Sequence, residues 1–523
     1  MATRQIVSKS IPKVASGDYI GKDGELWVDT VTNTMKISDG VTAGGATLTT
    51  DGGAGAVTYA AITNINNAAG PSKIAVGNLA GNTSQGSEAV AIGVNAGQTT
   101  QGASAVAVGY RAGYTTQGIS AVAIGNDTGK TTQGASAVAV GPYAGETNQG
   151  TKAVAIGLAA GYTTQGGSAV AVGNLAGETN QSGYAVAIGN DAGNTTQGAS
   201  AVAIGNAAGK TTQGTQSVAV GNSSGETTQG DYAVALGYNA GTTSQGDEAT
   251  AVGDSAGKTN QGASAVAVGN AAGETTQSVV AVAVGYAAGT TTQGEGAVAV
   301  GSIAGQTNQG AEAVAIGDAA GVLNQSTLAV AVGYQAGNTT QGASAVAVGE
   351  QAGKTTQGAS AVAIGKESGE TSQGTKAVAI GNLAGNDTQG TKAVAIGEQA
   401  GLTDQSSSAV AVGEQAGLTT QSQHGVAIGA NAGKTTQGES SVAIGKQAGR
   451  DNQGSSAVAI GNLAGLDNQH NNSIVIAASG SALNTAQTGQ FLVKPVRNVA
   501  GTLPTGFSQV AYNPTTGEFI YYG

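Results

Sequence analysis

Val202-Ala-Ile-Gly-Asn-Ala-Ala-Gly-Lys-Thr-Thr-Gln-Gly-Thr-Gln-Ser217 is one copy of the unit whose reading decides the fold. Its first glycine recurs at Gly77, Gly93, Gly109 and onward to Gly461 without an insertion or a deletion, which makes 25 copies at a period of 16. A period held so strictly predicts a solenoid, each copy forming one coil stacked on the next. Gly205, Gly209 and Gln213 stand at positions that carry the same residue in every copy. Glycine serves where a chain turns with positive φ or where two backbones come close, so the two fixed glycines predict two corners. A third, looser corner follows the glutamine. There Gly214 and its equivalents give way only to Ser182, Ser278, Ser326, Ser406, Ser422 and His470, which a turn accommodates. The segments between corners are too short for helix, and the Val-x-Ile spacing has the period of two that marks a strand.

Both faces of that strand are apolar. Val90 and Ile92, Val106 and Val108, Val122 and Ile124 share one face, with Thr250 its one polar member and Leu236 its one leucine. These are expected to fill the inside of the coil. The alanines Ala91, Ala107, Ala123 and Ala139 make a ladder on the other face, expected to lie outside and to be covered by other copies of the chain, because a sheet apolar on both sides is normally covered on both. At roughly 4.8 Å per coil, the 25 copies predict a rod about 120 Å long. Glutamine repeats from Gln85 and Gln101 through Gln213 to Gln469, and stacked amides of this kind hydrogen-bond along the axis. Gly77, Gly205 and Gly209 belong to the same structural framework. Lys130 with Glu146, Lys210 with Glu226, Lys258 with Glu274 and Lys354 with Glu370 fall one coil apart and predict axial ion pairs.

Composition agrees with a repeat fibre. Glycine makes up 89 of 523 residues, aromatics 3% and charged residues 10%. A glycine period of three would indicate collagen, and this one is not three. The net charge of −11 and the pI near 4.7 argue against a nucleic-acid partner, which wants a basic stripe. With no cysteine, there is neither a disulfide framework nor a thiolate metal site. The first residues, Met1-Ala-Thr-Arg-Gln-Ile-Val-Ser-Lys9, lack the apolar core of a signal peptide, and no apolar run is long enough to insert in a membrane.

The ends differ from the shaft. Residues 1–50 form a separate module in which Gly24-Glu-Leu-Trp-Val-Asp-Thr30 and Thr34-Met-Lys-Ile-Ser-Asp-Gly40 predict a hairpin with Trp27 and Met35 for a small core. Residues 51–72 read as a linker, 73–477 as the shaft and 478–523 as a β cap or tip, with Asn472-Ser-Ile-Val-Ile-Ala477 an altered last coil. The pattern G-E-L-x-V-D-T followed by K-I-x-D-G-V-T resembles an amino-terminal hairpin of bacteriophage tail-fibre and appendage proteins. That resemblance implies attachment to other virion proteins or priming of a trimer. The shaft core S-A-V-A-I-G-x-x-A-G, as at Ser200 to Gly209, resembles the head repeat of trimeric autotransporter adhesins of the YadA type. It implies a left-handed parallel β-roll assembled as a homotrimer. The unit here is longer than the usual head repeat and adds the T-x-Q-G segment. The export signal and membrane-anchoring barrel of an autotransporter are not recognised, which favours a virion fibre. In the tail, Lys494-Pro-Val-Arg-Asn-Val499 and Tyr512-Asn-Pro-Thr-Thr-Gly-Glu518 resemble the stretch that precedes a self-cleaving chaperone in phage fibres.

Catalytic chemistry is not expected. His424 and His470, the two histidines, occupy different positions of the repeat, and Asp231, Asp247 and Glu248 do not recur coil by coil as calcium ligands in β-rolls do. No cofactor or metal site is read. Tyr110, Tyr238, Tyr286 and Tyr334 follow the first corner glycine and are candidates for stacking on a host surface glycan. The leading expectation is a non-enzymatic structural fibre of a phage virion, an extracellular trimeric shaft that mediates attachment to a host. A bacterial cell-surface adhesin or filament is the alternative. A monomeric ice-binding type of solenoid, suggested by threonine pairs such as Thr99-Thr100 and Thr131-Thr132, is the third.

Overall fold

The structure, a computed structural model, describes residues 73–496 in full and, outside them, the strands Lys13–Val14, Leu26–Asp29, Thr34–Ile37, Ala46–Thr47, Gln509–Tyr512 and Phe519–Tyr522. The chain divides into two compact units, Met1–Ile65 and Asn66–Gly523.

In the second unit, each 16-residue coil contributes two short strands to two parallel sheets, giving an all-β solenoid of about 26 turns. Counting Val202 as position 1 of its coil, the first strand spans positions 1–3 (Val202–Ile204) and the second positions 11–12 (Thr212–Gln213). Register is strict. Val202 lies beside Val186 and Val218, and Gln213 beside Gln197 and Gln229. Backbone hydrogen bonds run along the axis at corners as well as strands: Val202 N to Ser217 O at 2.9 Å, Gly205 N to Ile188 O at 2.8 Å, Ala207 N to Asn190 O and Gln216 N to Ala199 O at 2.9 Å. Each coil therefore satisfies its backbone chiefly through its neighbours, and an isolated coil has almost no bonds of its own.

The interior is built from the smallest side chains available. Ala201, Ala203 and Ala208 are fully buried, and the two columns at positions 2 and 7 pack together as an alanine core in four runs, divided where Thr128, Ser224 and Ser368 stand at position 7. Here the structure overturns the sequence expectation. Ala91, Ala107, Ala123 and Ala139 are buried within their own chain rather than on an outer face. Ile92, Ile124 and Ile204, expected inside, are exposed by 39%, 40% and 37%. The reason is the width of the coil. Two strands of three and two residues double back so closely that a methyl group and one glutamine stem fill the space in nearly every coil, with Thr128 and Val475 the buried branched exceptions.

The glycine positions separate into three cases. At position 4, Gly205 has φ +134°, and a Cβ there would lie 2.4 Å from the carbonyl oxygen of Gly221 in the next coil. At position 8, Gly209 has φ +53°, yet Ala207 and Gln216 take nearly the same left-handed conformation, at +55° and +56°. Backbone angle alone therefore does not demand glycine there. The amide of Gln213 does, because its Cδ would stand 2.8 Å from a Cβ on Gly209. The third glycine position has no positive φ and only crowds the next coil. Serine is accommodated with a ladder bond of ordinary length: 3.0 Å from Ser182 N to Gln197 O and 2.8 Å from Ser406 N to Gln421 O, against 2.7 Å and 2.8 Å at Gly166 and Gly198. The true left-handed turn of that corner falls two residues later, at position 15.

At the carboxyl end, Ile474–Ala477 makes the altered last coil, with Val475 filling the alanine slot and buried completely. Phe491–Lys494 stacks parallel on it, Val475 beside Leu492. Leu483 and Leu492 pack against the last alanines, and Leu483 O accepts from Gly465 N at 2.8 Å. These larger residues close the end of the alanine core. Gln509–Tyr512 and Phe519–Tyr522 pair antiparallel.

In the first unit, Leu26–Asp29 and Thr34–Ile37 form the expected hairpin, with Trp27 paired to Lys36 and Val28 to Met35. Lys13–Val14 adds in parallel on one side and Ala46–Thr47 antiparallel on the other. The packing of Trp27 and Met35 and the linker 51–72 lie outside the described residues.

Candidate interaction surfaces of the shaft

The most regular polar feature lies inside. Gln213 Nε2 donates to Val202 O at 2.8 Å across its own coil and to Gln229 Oε1 at 3.1 Å in the next, while Gln213 Oε1 accepts from Gln197 Nε2 at 3.0 Å. The column continues unbroken from Gln101 to Gln469. Gln85 donates to Ile74 O and Ala89 O instead, and Gln101 Oε1 is left buried without a partner. Each glutamine thus ties the two sheets of a coil and links coil to coil. It is a brace rather than a ligand site, as its invariance suggested.

On the outside, three surfaces differ in character. Positions 1 and 3 present two columns of Val and Ile running from Ile74 to Ile476. With a strand width of a few ångströms and a rise of roughly 4.8 Å per coil, this stripe covers on the order of 1,000 Å², beyond the few hundred usual for a monomer's largest apolar patch. Thr250, its one polar member, is only half-buried there, so its hydroxyl meets solvent. The opposite sheet presents threonines, exposed at Thr99, Thr100, Thr131 and Thr132. The corner between positions 4 and 9 carries most of the charged contacts.

Three of the four expected axial pairs form there: Lys130 to Glu146 at 2.9 Å, Lys258 to Glu274 at 3.6 Å and Lys354 to Glu370 at 3.4 Å. Lys210 instead meets Asp191 at 3.7 Å, because position 6 of the preceding coil also faces position 9. The same corner joins Arg111 Nε to Asp127 Oδ1 at 2.9 Å, position 6 to position 6 of the next coil, and Asp127 to Lys130 at 3.8 Å within one coil. Sequence spacing of 16 could not show this, since the partners are 16 apart in one case and 19 or three apart in others. The hydrogen bond from Lys130 to Glu146 raises the lysine's pKa above its ordinary value.

Tyr110, Tyr238, Tyr286 and Tyr334 are all exposed on one column at position 5, by 46%, 55%, 62% and 47%. The last three recur every third coil, roughly 14 Å apart, so the structure does not bring them into one site. Arg111 lies over the Tyr110 ring, 4.7 Å from its centroid. His424 is an exposed left-handed corner residue. His470 N donates to Thr485 Oγ1 at 2.8 Å, tying the last corner to the cap. Asp231 and Asp247 are used structurally: their Oδ1 atoms accept from Thr215 N and Asp231 N, at 2.7 Å and 3.0 Å. Among the described residues, no group of three or more His, Asp and Glu gathers as a metal site, and no helix is long and apolar enough to cross a membrane.

What the fold defines is a class, a repeat protein built as a parallel β-solenoid. No protein-family model, curated protein or solved structure matches the chain.

Proposed function

We propose that the protein is a structural fibre of a phage virion, with a rigid shaft that trimerises by burying its Val/Ile stripe against the stripes of two further copies. The observation that carries this reading is the stripe itself, two apolar columns that no part of the described chain covers. Association around an axis would remove it from water and add apolar burial to coils whose alanine interior supplies little of it. The trimer interface therefore belongs to Val90, Ile92 and their equivalents, not to the alanines. The amino-terminal module would join other virion proteins, and the variable corner positions would meet a host surface.

Sedimentation and light scattering test this directly. Three chains of 49.9 kDa in one elongated particle support the reading, whereas a monomer with a bare stripe overturns it. A bacterial surface adhesin or filament would share the assembly and differ in where the chain is found. The exposed threonine columns favour a third reading as an ice-binding solenoid. That reading expects thermal hysteresis from a monomer, and its absence removes it.

A further inference from the structure

A notch interrupts the charged corner near the amino-terminal third of the shaft. It is a cleft of about 280 Å³ lined by Tyr143, Ala159, Tyr162 and Glu178. The position 6 column reads Tyr143, Ala159, Leu175 in three successive coils, so the alanine leaves a gap one side chain deep. Tyr143 is the one tyrosine at that position in the shaft, and Tyr162, at position 9, belongs to the next coil. No other pair of adjacent coils places two aromatic rings around such a gap.

Its polar groups are held in place. Asn194 Nδ2 donates to Glu178 Oε2 at 2.7 Å, which fixes the carboxylate and leaves its second oxygen as an acceptor. Glu146, 9% exposed, is anchored by Lys130 at 2.9 Å and lies beside Tyr162. The nearby Glu146 charge, with burial and a hydrogen bond between the two side chains, raises the Tyr162 pKa; with its O–H turned to Glu146, the phenol oxygen is left as an acceptor. Arg111, Asp127 and Lys130 extend the same network downwards.

We propose that this notch binds a single neutral sugar ring, its C–H face against Tyr143 and its hydroxyls on Glu178 and Tyr162. An aromatic face gives a pyranose an apolar contact, and a fixed carboxylate accepts from two hydroxyls more strongly than a neutral group does. The cleft volume is near the lower end for small-molecule sites, roughly 300 Å³, which suits one ring and not a chain. The two carboxylates disfavour an acidic sugar. For its biological role this inference rests on the host-attachment reading above and supplies a ligand class for it.

The repeat itself provides substitutions that coils already accept. Position 6 holds leucine at Leu79, Leu175 and Leu383 and asparagine at Asn95 and Asn239, so Ala159→Leu fills the notch and Tyr143→Asn removes its wall without foreign geometry. Saturation-transfer NMR would be run on the full chain with the methyl glycosides of glucose, galactose, mannose and N-acetylglucosamine. At least one should bind, with a Kd on the order of 1 mM, as expected of a ligand with few contacts. Ala159→Leu should abolish the signal, Tyr143→Asn should weaken binding about tenfold or more, and Tyr238→Asn, on an open column, should leave it unchanged. No binding by any of the four, or binding that survives Ala159→Leu, overturns the proposal. Solution mass keeps the two readings apart. A monomer that still binds sugar defeats the trimeric fibre and not the notch, and a trimer that binds none defeats the notch alone.

Discussion

Gly205 and Gly214 look alike in sequence and differ in what they forbid. A Cβ at either would stand 2.4 Å from the next coil's carbonyl, but only at Gly205 would it also need a φ of +134°. Gly205→Ala is therefore expected to cost about 3 kcal/mol or more, felt as local opening of the adjoining coils. Gly214→Ser should cost under about 1 kcal/mol, since Ser182 and Ser278 are accommodated by a ladder bond of 3.0 Å. Hydrogen exchange resolved by coil would separate the two, and equal protection loss would refute the distinction. Gln213→Ala removes one donor and one acceptor from the amide column: it orphans Gln229 Oε1, while Gln197 Nε2 keeps its bond to Val186 O at 2.8 Å. A loss of about 1–3 kcal/mol for that buried orphan follows, read as faster exchange in the coils on both sides. Asp451 supplies the pH dependence. Burial works to raise its pKa, but hydrogen bonds from Arg450, at 2.6 Å, and Thr435, at 3.0 Å, outweigh it and hold the pKa below the ordinary value. A folded pKa that is depressed stabilises above the unfolded carboxylate's pKa and is lost as pH falls through the folded value. Acidification should therefore loosen the terminal coils around Thr435 and Asp451 before the rest, and Asp451→Asn should remove that dependence.

At the scale of the strand, inside and outside make different demands. Ala203 is fully enclosed by its own coil, so Ala203→Val is expected to cost about 1–3 kcal/mol by overpacking. Val202 and Ile204 face outward, and the fold tolerates Thr250 in the Val column. Ile188→Lys, Ile204→Lys and Val220→Lys combined should thus leave the coils folded by circular dichroism while weakening self-association in sedimentation. Unfolding of that triple variant as a monomer would show that the stripe serves the coil and not an interface. The stacked coil and its Val-x-Ile strand were legible, because that spacing has the strand period and Gly205 closes it. The left-handed residues Ala207 and Gln216 were not, since many residue types occupy their positions and the axial hydrogen bonds that hold them exist only in the stack.

Along the shaft, the roughly 125 Å expected of about 26 coils at the β spacing carries one apolar stripe, broken only at Thr250, beside charged and hydroxylated faces. Association through such a stripe should persist at high salt, because apolar burial is not screened, and should weaken on cooling. Dissociation by 1 M salt, read as a fall in sedimentation mass, would point instead to the charged corner.

The sequence by itself determined the solenoid, its register, two of its three corners and the glutamine column, because each is a local requirement restated in every coil. It also placed the tyrosines on the surface without saying that position 5 keeps them apart. Which face of the Val-Ala-Ile strand turns inward was decided only by the tertiary structure. Both faces are apolar, and a period of two is the same read from either side. The choice depends on the distance between the two sheets, and that distance, set by the tight corner at Gly205 to Gly209 and by the Gln213 amide lying against it, fits a methyl group along the shaft; a valine enters the slot only at Val475, past the last strand of the second sheet.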